Sequence, residues 1–177
     1  MKIEYKIEEN DFLDFQLFAA SKSKRIMKKK KIERFFLTIG SLIGSIYFYL
    51  QQNITMTIYF VVIAIISVLF YPKYFNWRYK KHYKNYIKDN YQKRFGQVEN
   101  IEITEEYIYS KDKTGEGKIK LKEINEVNET PNHFFLKIST GMSLIIPKRE
   151  IKNIDLLKIK INKIGLNIID ELSWKWN

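Results

Sequence analysis

Hydrophobic and polar positions follow two periods along this chain, interrupted by one long segment that follows neither. At 2–9, "KIEYKIEE" alternates Ile3, Tyr5 and Ile7 with charge, which predicts a strand. From 11 to 31, Phe12, Leu13, Phe15, Leu17 and Phe18 fall at helical spacing, with Asn10 as the expected cap of one helix running into the lysines. Phe35–Tyr71 then contains no Asp, Glu, Lys or Arg in 37 positions. The polar "QQN" at 51–53 divides it into apolar runs at 35–50 and 54–71. Beyond it, Tyr79, Tyr83, Tyr86, Ile87 and Tyr91 form a helical stripe that Gly96 ends.

From Val98 the period returns to two. "VENIEIT", "EEYIYSK", "KIKLK", "INEVNET", "HFFLKIS" and "MSLIIPK" read as six strands, with turns at "DKTGEG", Pro131-Asn132 and Thr140-Gly141. Asn153 is placed to cap an amphipathic helix with Ile154, Leu157, Ile161 and Ile164 on one face, and Gly165 to stop it. With the strand at 2–9 this gives seven strands and a C-terminal helix. The expected fold is an α+β membrane protein in which a two-helix transmembrane hairpin is inserted after the first strand of a mainly antiparallel, pleckstrin-homology-like roll. The corresponding segments are 1–34 (strand and basic helix), 35–71 (hairpin), 72–96 (basic aromatic helix) and 97–177 (β domain with C-terminal helix).

Charge decides how the apolar segment is read. Residues 22–34 carry eight Lys and Arg against Glu33, and 72–96 carry eight against Asp89. Residues 97–177 carry thirteen of each sign. The basic excess behind the net charge of +11 therefore sits in two collars flanking the uncharged run, residues 1–21 being net acidic. A nucleic-acid binder concentrates its excess on a folded recognition surface, so nucleic acid is not expected as a partner. Runs of 16 and 18 residues extend about 24 and 27 Å as helices, slightly short of a bilayer's hydrocarbon core of about 30 Å. Because the 51–53 loop has no cation, both termini are expected in the cytoplasm and the loop outside.

The collars suggest a task. Lys28, Lys29, Lys30, Lys31, Lys80, Lys81 and Lys84 are the expected lipid-facing set, each cation near anionic headgroups contributing about 1 kcal/mol. Fixing topology is the alternative role for the same residues. Gly40, Ser41, Gly44 and Ser45 make two overlapping small-x-x-x-small pairs, which allow close helix approach. They serve either packing of the hairpin on itself, towards Ala64 and Ser67, or contact with a second copy or another membrane protein. Trp174 and Trp176 either cover the core or touch the membrane.

Catalytic and cofactor signatures are missing. The chain has no Cys, and His82 and His133 lack metal-ligand spacing. "TGEGK" at 114–118 lacks full phosphate-loop spacing and precedes a strand, so a turn is the better reading. The expectation is a non-enzymatic protein without catalytic residues, metal or cofactor.

The stretches "YKIEENDFLDFQLFAASKSKR" at 5–25 and "LKEINEVNETPNHFFLKISTGMSLIIPKREI" at 121–151, together with the close pair of apolar runs, resemble the YcxB-like family of small bacterial membrane proteins. Pro147-Lys148-Arg149 is similar to that family's strand ending, and the C-terminal part resembles bacterial pleckstrin-homology-like domains. The resemblance implies a multi-pass inner-membrane protein presenting a binding module at the cytoplasmic leaflet, for lipid or protein. A second implication is self-immunity against a toxin or bacteriocin.

Overall fold

The computed structural model describes residues 1–113 and 115–176, which divide into two compact units. The first comprises Met1–Phe15 and Asn85–Lys175; the second comprises Gln16–Lys84 and Trp176.

The first unit holds two four-stranded sheets. One has the order β1-β2-β3-β4, from Lys2–Lys6, Val98–Ile103, Tyr107–Asp112 and Gly115–Lys120, all antiparallel. Its first strand is an edge strand recruited from the N-terminus, with Ile3 opposite Ile101 and Tyr5 opposite Glu99. The alternation seen in the sequence sets the register: Ile3, Tyr5, Ile101 and Ile103 all turn to the buried face. The turn between β3 and β4 includes Thr114, outside the described residues, while Ser110 pairs with Gly117 on its flanks.

The second sheet has the order β7-β6-β5-β8, from Ser143–Pro147, His133–Ile138, Ile124–Glu129 and Ile168–Asp170. Strand β6 is buried at five of its six positions, so both of its faces are covered. Helix α4, Ile154–Lys163, starts at Asn153, whose side chain accepts the Leu156 amide, and buries Leu157 and Ile161. Gly165 ends it at φ +82°, the left-handed conformation that favours glycine. Strand β8 is an addition to the seven strands expected. It runs parallel to β5, with Val127 opposite Ile168.

Helix α1, Glu9–Lys22, begins before the expected cap. The Asp11 carboxylate accepts the Glu8 amide at 2.7 Å, which caps the helix early and leaves Asn10 inside the first turn. The single helix expected over 11–31 is also broken. Ser23 is extended at φ −76° and ψ 109°, and its hydroxyl accepts the Ile26 amide to start α2, Lys24–Leu50.

In the second unit, α2 continues without interruption from the lysine run into the apolar run. A turn at 51–53, with Asn53 accepting the Met56 amide at 3.1 Å, leads into α3, Ile54–Tyr91. This helix passes through Pro72, so the segment expected to begin at 72 continues the preceding one. The two helices meet through small and polar side chains. Thr38 Oγ1 lies 2.6 Å from Ser67 Oγ, and Phe48 stacks on Phe60 with centroids 5.4 Å apart. Among the described residues one helix, within Ile54–Arg94, is long and apolar enough to cross a membrane, and most of its apolar stretch is exposed.

Candidate functional site

Six of the seven lysines assigned to a lipid surface project outward: Lys28, Lys29, Lys31, Lys80, Lys81 and Lys84 are exposed. Lys30 departs from that set. It is half-buried, donates to Asn76 Oδ1 at 2.8 Å, and sits 5.7 Å from the centre of the Phe75 ring. Burial, and then the Arg34 charge, lower its pKa. Lys81 lies over Trp77, 5.4 Å from the ring centre, so its stem follows an aromatic surface while its ammonium stays wet.

The small residues of α2 divide by face. Ser41 and Ser45 are buried, and a Cβ at Gly44 would fall 2.8 Å from the Phe60 ring. Gly40 is exposed, with nothing within 4 Å of the position its Cβ would take. Gly44 thus permits close approach of α2 to α3, whereas Gly40 opens a notch on the outer face. Around this seam the surface is strongly apolar: Phe36 is 69% exposed, Ile43 62%, Leu50 74% and Leu69 60%. An uncharged apolar surface this continuous calls for a cover other than water.

At the border of the uncharged run, Glu33 accepts hydrogen bonds from the Tyr71 hydroxyl and from Arg78 Nη2, the latter at 2.9 Å. The Tyr71 bond, against the cost of burial and with help from Arg78 and Lys29, holds the Glu33 carboxyl below its ordinary range. Trp176 donates its indole N–H to the Asn76 carbonyl at 3.1 Å, which gives that residue a role in closing the second unit.

The first unit contains charge networks that sequence reasoning missed. Asp11 is 1% exposed and His133 3% exposed. His133 Nε2 lies 2.8 Å from Asp11 Oδ1 and Arg149 Nη2 2.7 Å from Oδ2, while Arg149 also donates to the Lys6 carbonyl at 3.0 Å. Burial opposes ionisation of Asp11, but Arg149, His133 and the Glu8 amide outweigh it and hold the carboxyl well below the usual range. The network ties α1, β1, β6 and the turn after β7 together. His133 stacks on Phe135 at 5.3 Å, and Phe15 meets Phe135 edge-on at 5.4 Å. A second network joins the buried Glu129 to Lys148 and Lys158, each at 2.7 Å. An Asp inside an apolar helical turn was the one available signal, because such a residue needs partners once buried.

An open groove of 740 Å³ lies on the first unit, between β1–β4 and the segment preceding α4. Lys2, Lys111 and Lys152 alternate there with Glu4, Glu102, Glu116 and Glu150, so it favours neither sign of charge. Among the described residues no group of three or more His, Cys, Asp or Glu could hold a metal.

These features define an α+β protein in which two mainly antiparallel sheets and a C-terminal helix accompany an unusually apolar helix pair. Residues 97–159 match the family model described as YcxB-like protein. The match runs from the start of β2 into α4 and contains the 121–151 stretch, while the 5–25 stretch and both apolar runs lie outside it. No curated protein matches the chain.

Proposed function

We propose that this is a non-enzymatic, multi-pass inner-membrane protein that holds its YcxB-like unit, a pleckstrin-homology-like roll, at the cytoplasmic leaflet as a module for acidic lipid or a protein partner. In this reading α2 and α3 both cross the bilayer and both termini are cytoplasmic. The observation that carries it is the exposed, uncharged surface of residues 35–71 between two cationic collars. Soluble helices keep their apolar stripe inward, whereas here the large apolar side chains face out and the small and polar ones face the seam. Apolar runs of about 24 and 27 Å are accommodated by slight bilayer thinning at modest cost.

Two four-stranded sheets followed by a helix support the comparison with a pleckstrin-homology-like roll, β8 being an extra edge. Alkaline carbonate extraction tests membrane integration: the chain should remain in the pellet, and release into the supernatant refutes the reading. Reconstituted into vesicles, it should then bind added anionic lipid in preference to neutral lipid. Equal affinity for both removes the lipid-recruitment part.

A further inference from the structure

A cavity of 710 Å³ lies between α2 and α3 on the charged side of the uncharged run. Three permanent cations, Arg25, Lys29 and Arg78, line it against a single carboxylate, Glu33. That carboxylate pairs with the Arg78 guanidinium at 2.9 Å and with Lys29 at 3.8 Å, so it holds both cations at the cleft and leaves its lining with two net positive charges. The guanidinium is further held 5.5 Å from the Phe75 ring centre and 6.0 Å from that of Tyr79. Tyr79 stacks on Phe75 at 4.3 Å, and His82 and Tyr83 extend the aromatic wall. Among the described residues Arg25 has no ion-pair partner, so a cation remains available.

Helical spacing extends this site towards the apolar belt. Arg25, Lys29, Phe36, Gly40 and Ile43 fall on one face of α2. Phe36 and Ile43 are exposed, and the space at Gly40 is open. A charged cleft thus continues into an apolar surface with a side-chain-free notch, the order of groups along a phospholipid.

We propose that this cleft binds the phosphate of an acidic phospholipid, with the acyl chains along Phe36, Gly40 and Ile43. This rests on the reading that α2 and α3 are embedded in the membrane, and it adds a defined headgroup site to the diffuse attraction of the collars. Basic pockets between membrane helices on the cytoplasmic side are suited to such headgroups. A soluble phosphate would use the same cations but would gain nothing from the apolar continuation.

The full chain in neutral detergent, titrated with phosphatidylglycerol or phosphatidylcholine and followed by native mass spectrometry, tests this. Phosphatidylglycerol should be preferred, and Arg25→Gln with Lys29→Gln should weaken its retention about ten- to thirtyfold. Lys24→Gln with Lys73→Gln removes the same charge outside the cleft, at collar positions not assigned to the lipid surface, and should change retention less than about twofold, a difference that collar charge alone does not produce. Both pairs are exposed, and circular dichroism of each variant checks the fold. Equal losses in the two double variants overturn the cleft but leave membrane anchoring and collar attraction standing. Equal retention of the two lipids by the unsubstituted chain overturns the cleft and lipid recruitment together. Displacement of phosphatidylglycerol by millimolar inorganic phosphate overturns the lipid assignment in favour of a soluble phosphate.

Discussion

Arg149 and Asp11 lie 138 positions apart in sequence yet meet through two parallel hydrogen bonds, Nη1 to Oδ1 at 2.6 Å and Nη2 to Oδ2 at 2.7 Å. The carboxylate is buried and the guanidinium partly exposed, so the two partners are not equivalent. Arg149→Leu leaves a buried charge short of its main partner and should cost about 2–4 kcal/mol of local stability. Asp11→Asn keeps the shape but weakens two charge-assisted bonds and should cost less, about 1–3 kcal/mol. Hydrogen exchange of β1 and β6 amides measures both locally, without assuming that the whole chain unfolds in one step. Unchanged protection in both variants would show the pair to be incidental.

The same network sets an acid limit. Asp11 and Glu129 both have folded-state pKa values below their ordinary ones, Asp11 through Arg149 and His133 and Glu129 through Lys148 and Lys158, burial opposing in each case. A carboxyl depressed on folding contributes stability that is fully present above its unfolded pKa, about 4, and fades as pH falls through the folded value. The first unit should therefore hold constant stability from neutral pH down to about 4 and lose it below. Asp11→Asn combined with Glu129→Gln should flatten that decline. A decline of equal steepness in the double variant would place the acid sensitivity elsewhere.

Physical range explains what was legible in the sequence. Strands β2, β3 and β5–β7, the Asn153 cap and the Gly165 stop depend on neighbours a few residues away and could be read from period and turn chemistry. Strand β4 instead starts at Gly115, inside the stretch read as a turn, and ends before Leu121. Pairing of Ile3 with Ile101 could be posed as a question, because the first strand alternated like the others. Strand β8 could not, since three residues carry little periodicity and its parallel partner is remote. The break at Ser23 lacks Gly or Pro and depends on one hydroxyl capping Ile26. Asp11 in the first helix, His133 at the start of a strand and Arg149 at a strand's end are unconnected in the sequence, because burial, which couples them, is tertiary. In the apolar helix pair, the small residues could be found but not their faces: Gly44 and Gly40 are one turn apart and differ only in what lies opposite.

That difference is measurable. Gly44→Leu drives its side chain into the Phe60 ring and should destabilise the α2–α3 pairing by about 1–3 kcal/mol, as overpacking does. Gly40→Ala meets open space and should be neutral or stabilising by up to about 1 kcal/mol, the difference in helix propensity. Thermal denaturation in detergent reads both. If Gly40→Ala is the more damaging, or dissociates an oligomer on a sizing column, that face packs against a second copy or another protein.

Topology underlies every functional statement, and the cysteine-free chain makes it accessible. Gln51 is exposed in the turn between α2 and α3, Lys24 is exposed at the start of α2, and Lys113 is exposed beside the β3–β4 turn. Single cysteines at these positions leave the buried contacts intact. With cations on both flanks of the apolar runs and none in the turn, the proposed two-span reading has position 51 outside and positions 24 and 113 within. A thiol reagent that cannot cross membranes should label Gln51→Cys in intact cells, and Lys24→Cys and Lys113→Cys only after lysis. Labelling of Lys113→Cys from outside reverses the orientation and removes the YcxB-like unit from the cytoplasmic leaflet. If position 51 stays protected in intact cells while labelling readily after lysis, the helices enter the bilayer without crossing it, and the two-span reading fails although membrane association survives.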